Sequence, residues 1–159
     1  MKKKIFTTIL LTTIFCSSSC VVAFEPSVYA SPGIKLGYNF GQSGGFTYGF
    51  ELSVTSDFGK FPGWLSGIVM DIDFSKNWNK IHLGVESSFG SAGFDIGPTF
   101  ILEDGKMDTG FSVTPFLGLG LIPYYTITYR RDDVQDIREA GTYLKYPLTI
   151  ISGTGFKWN

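Results

Sequence analysis

The sequence predicts an all-β fold, an antiparallel up-and-down transmembrane β-barrel of eight strands. Three observations carry the prediction. Residues 46–55, Phe-Thr-Tyr-Gly-Phe-Glu-Leu-Ser-Val-Thr, alternate without a break between large apolar side chains and small or polar ones. Successive side chains of a strand point to opposite faces, so Phe46, Tyr48, Phe50, Leu52 and Val54 form one face and Thr47, Gly49, Glu51, Ser53 and Thr55 the other. The same rhythm returns along the chain between turn signals. Finally, 43% of the residues are hydrophobic and 16% aromatic, yet no segment approaches the ~20 consecutive apolar residues a membrane helix needs.

Residues 1–23 are set apart as a signal peptide. Met1-Lys2-Lys3-Lys4 is a basic start, Ile5 to Phe15 an apolar stretch, and Val21-Val22-Ala23 a small-residue cleavage site. Val28-Tyr29-Ala30 is a second such site. Cys20 offers a third reading, a lipidated N-terminus, although the Leu that normally precedes that signal is replaced by serine. Cleavage after Ala23 removes Cys16 and Cys20 and leaves one domain, 24–159, without thiols. An exported domain this small without a disulfide must be held by something else, and a closed hydrogen-bonded barrel supplies it. Losing Lys2, Lys3 and Lys4 takes the basic residues from 13 to 10 against 14 acidic ones, which argues against a nucleic-acid partner.

The expected strands run at about 33–41, 45–56, 64–74, 79–90, 92–102, 110–121, 124–131 and 142–152. Ile34, Leu36, Tyr38 and Phe40 form the apolar face of the first, which stops at Gln42-Ser43-Gly44-Gly45. The second carries the Phe46 set and ends at Asp57 to Gly63, with Pro62. Ile68, Met70, Ile72 and Phe74 define the third, closed by Ser75-Lys76-Asn77; Ile81, Leu83, Val85 and Phe89 define the fourth, closed by Gly90-Ser91. Phe94, Ile96, Phe100 and Leu102 lead to the Glu103-Asp104-Gly105 turn. Phe111, Val113, Leu117, Leu119 and Leu121 reach a break at Leu121-Ile122-Pro123. Tyr125, Ile127 and Tyr129 precede the charged segment Asp132 to Ala140, read as a loop, and Leu144, Tyr146, Leu148 and Ile150 complete the set, with Phe156 and Trp158 in phase to extend it. Pro98, Pro115 and Pro147 fall inside strands and predict bulges or strand ends, since each lacks a ladder donor.

Volume decides which face points inward. An eight-stranded barrel interior is just wide enough to be filled by side chains, and the large aromatic-rich face does not fit there. The polar face, rich in Gly, Ser and Thr, does. In water that face would also be unusually poor in charge for a barrel exterior. A bilayer admits only helices and closed barrels, and strands of these lengths meet its dimensions. In pattern and size the chain resembles the small eight-stranded outer-membrane barrels. That resemblance implies residence in the outer membrane of a diderm bacterium, contact with outer-membrane lipid and lipopolysaccharide, and a monomer. A soluble lipocalin-like periplasmic binder is the alternative that reverses the faces.

The inward face sets the candidate chemistry. Glu51, Asp71, Asp73, Glu86 and Asp95 are expected to meet Lys35, Arg130 and Lys145 in a lumen network, because buried charges must be paired. Such a plug leaves no room for a porin-like pore, and it favours a structural, adhesion or surface-interaction role. His82 is the sole histidine and the candidate for acid–base work. Glu86 shares its face but lies about 13 Å along the strand. Outer-membrane lipid deacylases resemble the chain in size and barrel type and carry a His-x-Ser pair. Here the residues are His82-Leu83-Gly84, without the nucleophile at that position; Ser53, Ser88 and Ser112 on neighbouring strands are the remaining candidates for it, and a lipid-modifying enzyme built on His82 is the alternative function. One histidine and scattered carboxylates predict no metal and no cofactor. The charged run from Arg130 supplies Arg131 and Arg138 as loop contacts to lipopolysaccharide headgroups or a surface partner protein.

Overall fold

The computed structural model describes residues 27–41, 44–57, 63–118, 121–131 and 134–151. The expected signal peptide, the Gln42-Ser43 turn and the extension to Phe156 and Trp158 lie outside them. The strands are β1 (Val28–Phe40), β2 (Gly45–Asp57), β3 (Trp64–Ser75), β4 (Trp78–Phe89), β5 (Ala92–Glu103), β6 (Lys106–Leu117), β7 (Leu121–Arg130), β8 (Ile137–Lys145) and β9 (Leu148–Ile151). Consecutive strands from β1 to β8 pair antiparallel, and β1 also pairs with β8, so the sheet closes. β9 continues the line of β8 along the start of β1, with Tyr29 opposite Thr149 and Ala30 opposite Leu148. The barrel is therefore eight-stranded, its last strand split at Tyr146-Pro147. The Tyr146 N–H donates to the Pro32 carbonyl at 3.0 Å and bridges the split. Closure pairs each of β1 to β8 on both sides, the arrangement a lipid environment demands, and β9 pairs with β1.

Alternation sorts the side chains as volume requires. Phe50 is 59% exposed and its neighbour Glu51 3%. Ile34, Tyr48, Met70, Leu83, Phe94, Phe111, Tyr129 and Leu144 likewise project outward, while Lys35, Asp71, His82, Thr99, Ser112 and Thr128 are buried inside. That is the reverse of a soluble lipocalin-like barrel.

The expected boundaries shift by three or more residues at the starts of β1, β6, β7 and β8 and at the end of β6, which runs from Lys106 where 110 was expected. β1 begins at Val28, five residues before the expected position 33, because its start is paired with β9 as well as β2. β6 ends at Leu117 and β7 begins at Leu121, so residues 121–123 extend a strand where a break was expected: Pro123 sits opposite Thr142 of β8. β8 begins at Ile137, inside the segment read as a loop, since Phe40 and Thr128 offer it backbone partners at Arg138 and Ile137. At Pro98 and Pro115 the ladder to one neighbour lapses without a change of register. Only Pro147 interrupts its strand. The β5–β6 turn is Asp104-Gly105 with φ of 50° and 74°, the backbone a two-residue type I′ hairpin requires.

Candidate functional site in the lumen

Two polar networks fill the lumen. The first is ionic. Lys35 Nζ lies 2.9 Å from Asp73, 3.6 Å from Asp71 and 3.9 Å from Glu139, and Lys80 Nζ lies 2.9 Å from Asp73 and 3.1 Å from Glu139. Glu139 also accepts from Thr47 Oγ1 at 3.0 Å and from the Tyr124 hydroxyl. One carboxylate thereby joins side chains of β1, β2, β4 and β7 to β8. Lys35 Nζ stands 4.8 Å and 5.4 Å from the ring centres of Tyr124 and Tyr143, so the aromatic faces supply part of its solvation.

Strand alternation and glycine together permit this. Lys35, Gly49 and Asp73 are opposite one another on β1, β2 and β3. A Cβ at Gly49 would stand 2.5 Å from Asp73 Oδ1. Glycine at the middle position clears the path along which Lys35 reaches its partner two strands away.

The second network is built of hydroxyls. His82 Nδ1 is 3.1 Å from Thr99 Oγ1, which is 2.6 Å from Ser112 Oγ, which is 2.8 Å from Thr128 Oγ1. Thr114 and Thr126 make a parallel link at 3.0 Å. On its other side His82 Nε2 is 3.0 Å from Asp95 Oδ1. These bonds run around the circumference from β4 to β7.

A third group lies toward the chain termini. Lys145 pairs with Glu51, lies 3.1 Å from Glu86 Oε2, and stands 5.2 Å from the centre of the Phe116 ring. At the opposite end Arg130 binds Glu103 at 2.7 Å and Asp108 at 2.8 Å.

No protein-family profile matches the chain, and no curated protein matches it. The structure is similar to the crystal structure of Ail, the attachment invasion locus protein of Yersinia pestis, with 12% identity and a TM-score of 0.41, covering 78% of this chain and 99% of that one. In strand number, closure and outward apolar belt the chain resembles the small outer-membrane barrels.

The structure separates several residues that the sequence grouped. His82 meets Asp95 and Thr99, whereas Glu86 meets Lys145, so His82 and Glu86 form no pair. Arg130 leaves the lumen network for Glu103 and Asp108, because it is the last residue of β7 and those acids flank the adjacent β5–β6 turn. Arg131 is exposed just beyond that strand, and Arg138 belongs to β8 and is exposed on its outward face rather than on a loop. Glu139 and Lys80, the center of the ionic network, were not among the candidates. Their signal was phase: Lys80 is two residues before His82, and Glu139 is six before Lys145.

His82 does have a carboxylate on one side and a hydroxyl on the other. Thr99 and Ser112 are each 1% exposed and 2.6 Å apart, however, which leaves no approach for a carbonyl carbon to Thr99 Oγ1. A nucleophile needs such an approach in addition to its base.

Proposed function

We propose that the mature chain is a small outer-membrane barrel with a plugged lumen and a structural or surface-interaction role. The observation that carries this reading is the filling of the lumen: Lys35, Asp73, Lys80, His82 and Glu139 are each at most 1% exposed while Phe46, Ile68 and Leu121 outside exceed 60%. An apolar exterior around a charged interior is stable in lipid and would aggregate in water. In this reading residues 1–23 direct export and are removed, and the connections after β1, β3, β5 and β7 face the cell exterior.

The test is fractionation joined to electrical recording. The protein is expected with outer membranes, resistant to carbonate and shifted on gels by heating; refolded into planar bilayers it gives no steady conductance. Recovery as a soluble periplasmic species overturns the location, and stable channel steps overturn the plug. Lipid A is incubated with the same preparation: fatty-acid release that is lost in His82→Gln would replace the structural reading with the enzymatic one.

A further inference from the structure

One inward row of the barrel runs Lys145, Gly33, Glu51, Asp71, His82 and Thr99 across β8, β1, β2, β3, β4 and β5, each residue directly opposite the next. Glu51 and Asp71 are the like charges in it. Cross-strand partners hold their Cβ atoms about 5 Å apart, and two carboxylates placed so repel. Both residues are buried, at 3% and 1% exposure. Asp71 Oδ1 has no hydrogen-bond partner, and Asp71 Oδ2 lies 3.6 Å from Lys35, whose nearer partner is Asp73 at 2.9 Å.

The lumen as a whole is short of cations. Among the described residues it holds Glu51, Asp71, Asp73, Glu86, Asp95 and Glu139 against Lys35, Lys80, Lys145 and His82. Lys35 and Lys80 balance Asp73 and Glu139, Lys145 serves both Glu51 and Glu86, and His82 lies against Asp95. Even with His82 charged, two negative charges are left over. Buried carboxylates in excess must recruit a cation or take up a proton. Two observations select the proton. No group of three or more His, Cys, Asp or Glu side chains among the described residues is arranged to hold a metal ion. A cation at the Glu51 and Asp71 pair would also have Lys145, in contact with Glu51, and Lys35 as neighbours, and both ammonium groups would repel it. A proton avoids that repulsion: it forms an O–H bond on one carboxylate, removes that charge, and lets the acid donate to the other.

We infer that Glu51 and Asp71 hold one proton between them in the folded barrel at neutral pH, so that the barrel gains stability as its surroundings acidify. The charged and titratable groups that face the pair are Lys35 on β1, Asp73 on β3, His82 and Glu86 on β4, Asp95 on β5, and Tyr143 and Lys145 on β8. The inference rests on the plugged-lumen reading and deepens it. An open lumen shows as channel steps, whereas a missing proton shows as a flat pH profile in a protein that conducts nothing.

The mature protein is refolded in detergent micelles, and its urea unfolding and infrared spectrum are followed from about pH 5 to about pH 8, above the ordinary carboxylate range. There the folded barrel keeps a proton that the unfolded chain has released, so the unfolding constant should rise about tenfold for each pH unit. The gain on acidification ends near about pH 4, where the unfolded carboxylates bind protons too. The spectrum should show the carbonyl stretch of a carboxylic acid, shifted in D₂O. Asp71→Asn places a neutral amide at the pair. It should refold with a midpoint at neutral pH no lower than that of the wild type, and lose both the stretch and one proton's share of the pH dependence. Glu51→Gln should lose the same two signals, and His82→Gln, which removes the histidine titration, should keep them. Absence of the stretch, its persistence in both pair variants, a pH profile of Asp71→Asn parallel to wild type, or failure of Asp71→Asn to refold overturns the inference. A midpoint raised by sodium, potassium or calcium chloride at constant ionic strength in the wild type and not in Asp71→Asn also overturns it, and assigns the excess charge to a bound cation.

Discussion

The two sides of the lumen solve one problem with different chemistry. Around β8, β1, β2, β3 and β4, long charged side chains cross the interior and share partners: Asp73 receives both Lys35 and Lys80, and so does Glu139. From β4 to β7, short hydroxyls join neighbouring strands through Thr99, Ser112 and Thr128. Both sides satisfy buried polar groups. They differ in what a deletion leaves behind. A hydroxyl can rotate toward another acceptor, whereas a buried carboxylate without its lysine must either hold an unpaired charge in a poorly solvated place or take up a proton, and both cost stability. Shared partners also make the ionic side respond as a unit, and the hydroxyl side pair by pair.

The largest effect should follow from Lys35→Met. It leaves Asp71 with no lysine within bonding reach and makes Lys80 the sole lysine for Asp73 and Glu139. The expected loss is about 3–5 kcal/mol, read from the urea midpoint of refolding in detergent micelles. A loss below that of a single hydroxyl deletion would show that the ionic side carries no special weight. Ser112→Ala removes the centre of the hydroxyl chain, two hydrogen bonds at 2.6 and 2.8 Å. The same measurement should register about 1–2 kcal/mol, since each neutral bond is worth about 1. A loss equal to that of Lys35→Met would erase the distinction between the sides.

His82 sits where the sides meet, on β4 with Lys80, bound to Asp95 and Thr99. Glutamine there retains a donor or an acceptor for one of the two partners. The smallest change is expected for His82→Gln, about 1 kcal/mol or less, from the loss of one bond. A collapse of refolding in this variant would make the histidine, and not the lysines, the keystone of the interior.

Much of this architecture is local and therefore legible in the chain. Phe46 to Thr55 alternate because a strand's period is two, and that pattern survives whatever the neighbours are. The segment from Ile137 to Ala140 was not legible for the opposite reason: Arg138 and Glu139 extend a charged run and carry little strand propensity, and pairing with β1 and β7 makes them a strand. Glu139 could be placed only by carrying the outward phase of Leu144 back through Thr142 and Ala140.

The sequence by itself determined the alternation, the turns at Ser75-Lys76-Asn77, Gly90-Ser91 and Glu103-Asp104-Gly105 and, through side-chain volume, which face fills the barrel. These follow from local geometry and from how much can fit inside eight strands. Tertiary structure alone decided who partners whom. Lys35 finds Asp73 two strands away because register sets Gly49 between them, and Lys80 finds Glu139 because closure brings β8 against β1. Register and closure are properties of the whole ring of strands, so no stretch of sequence contains them.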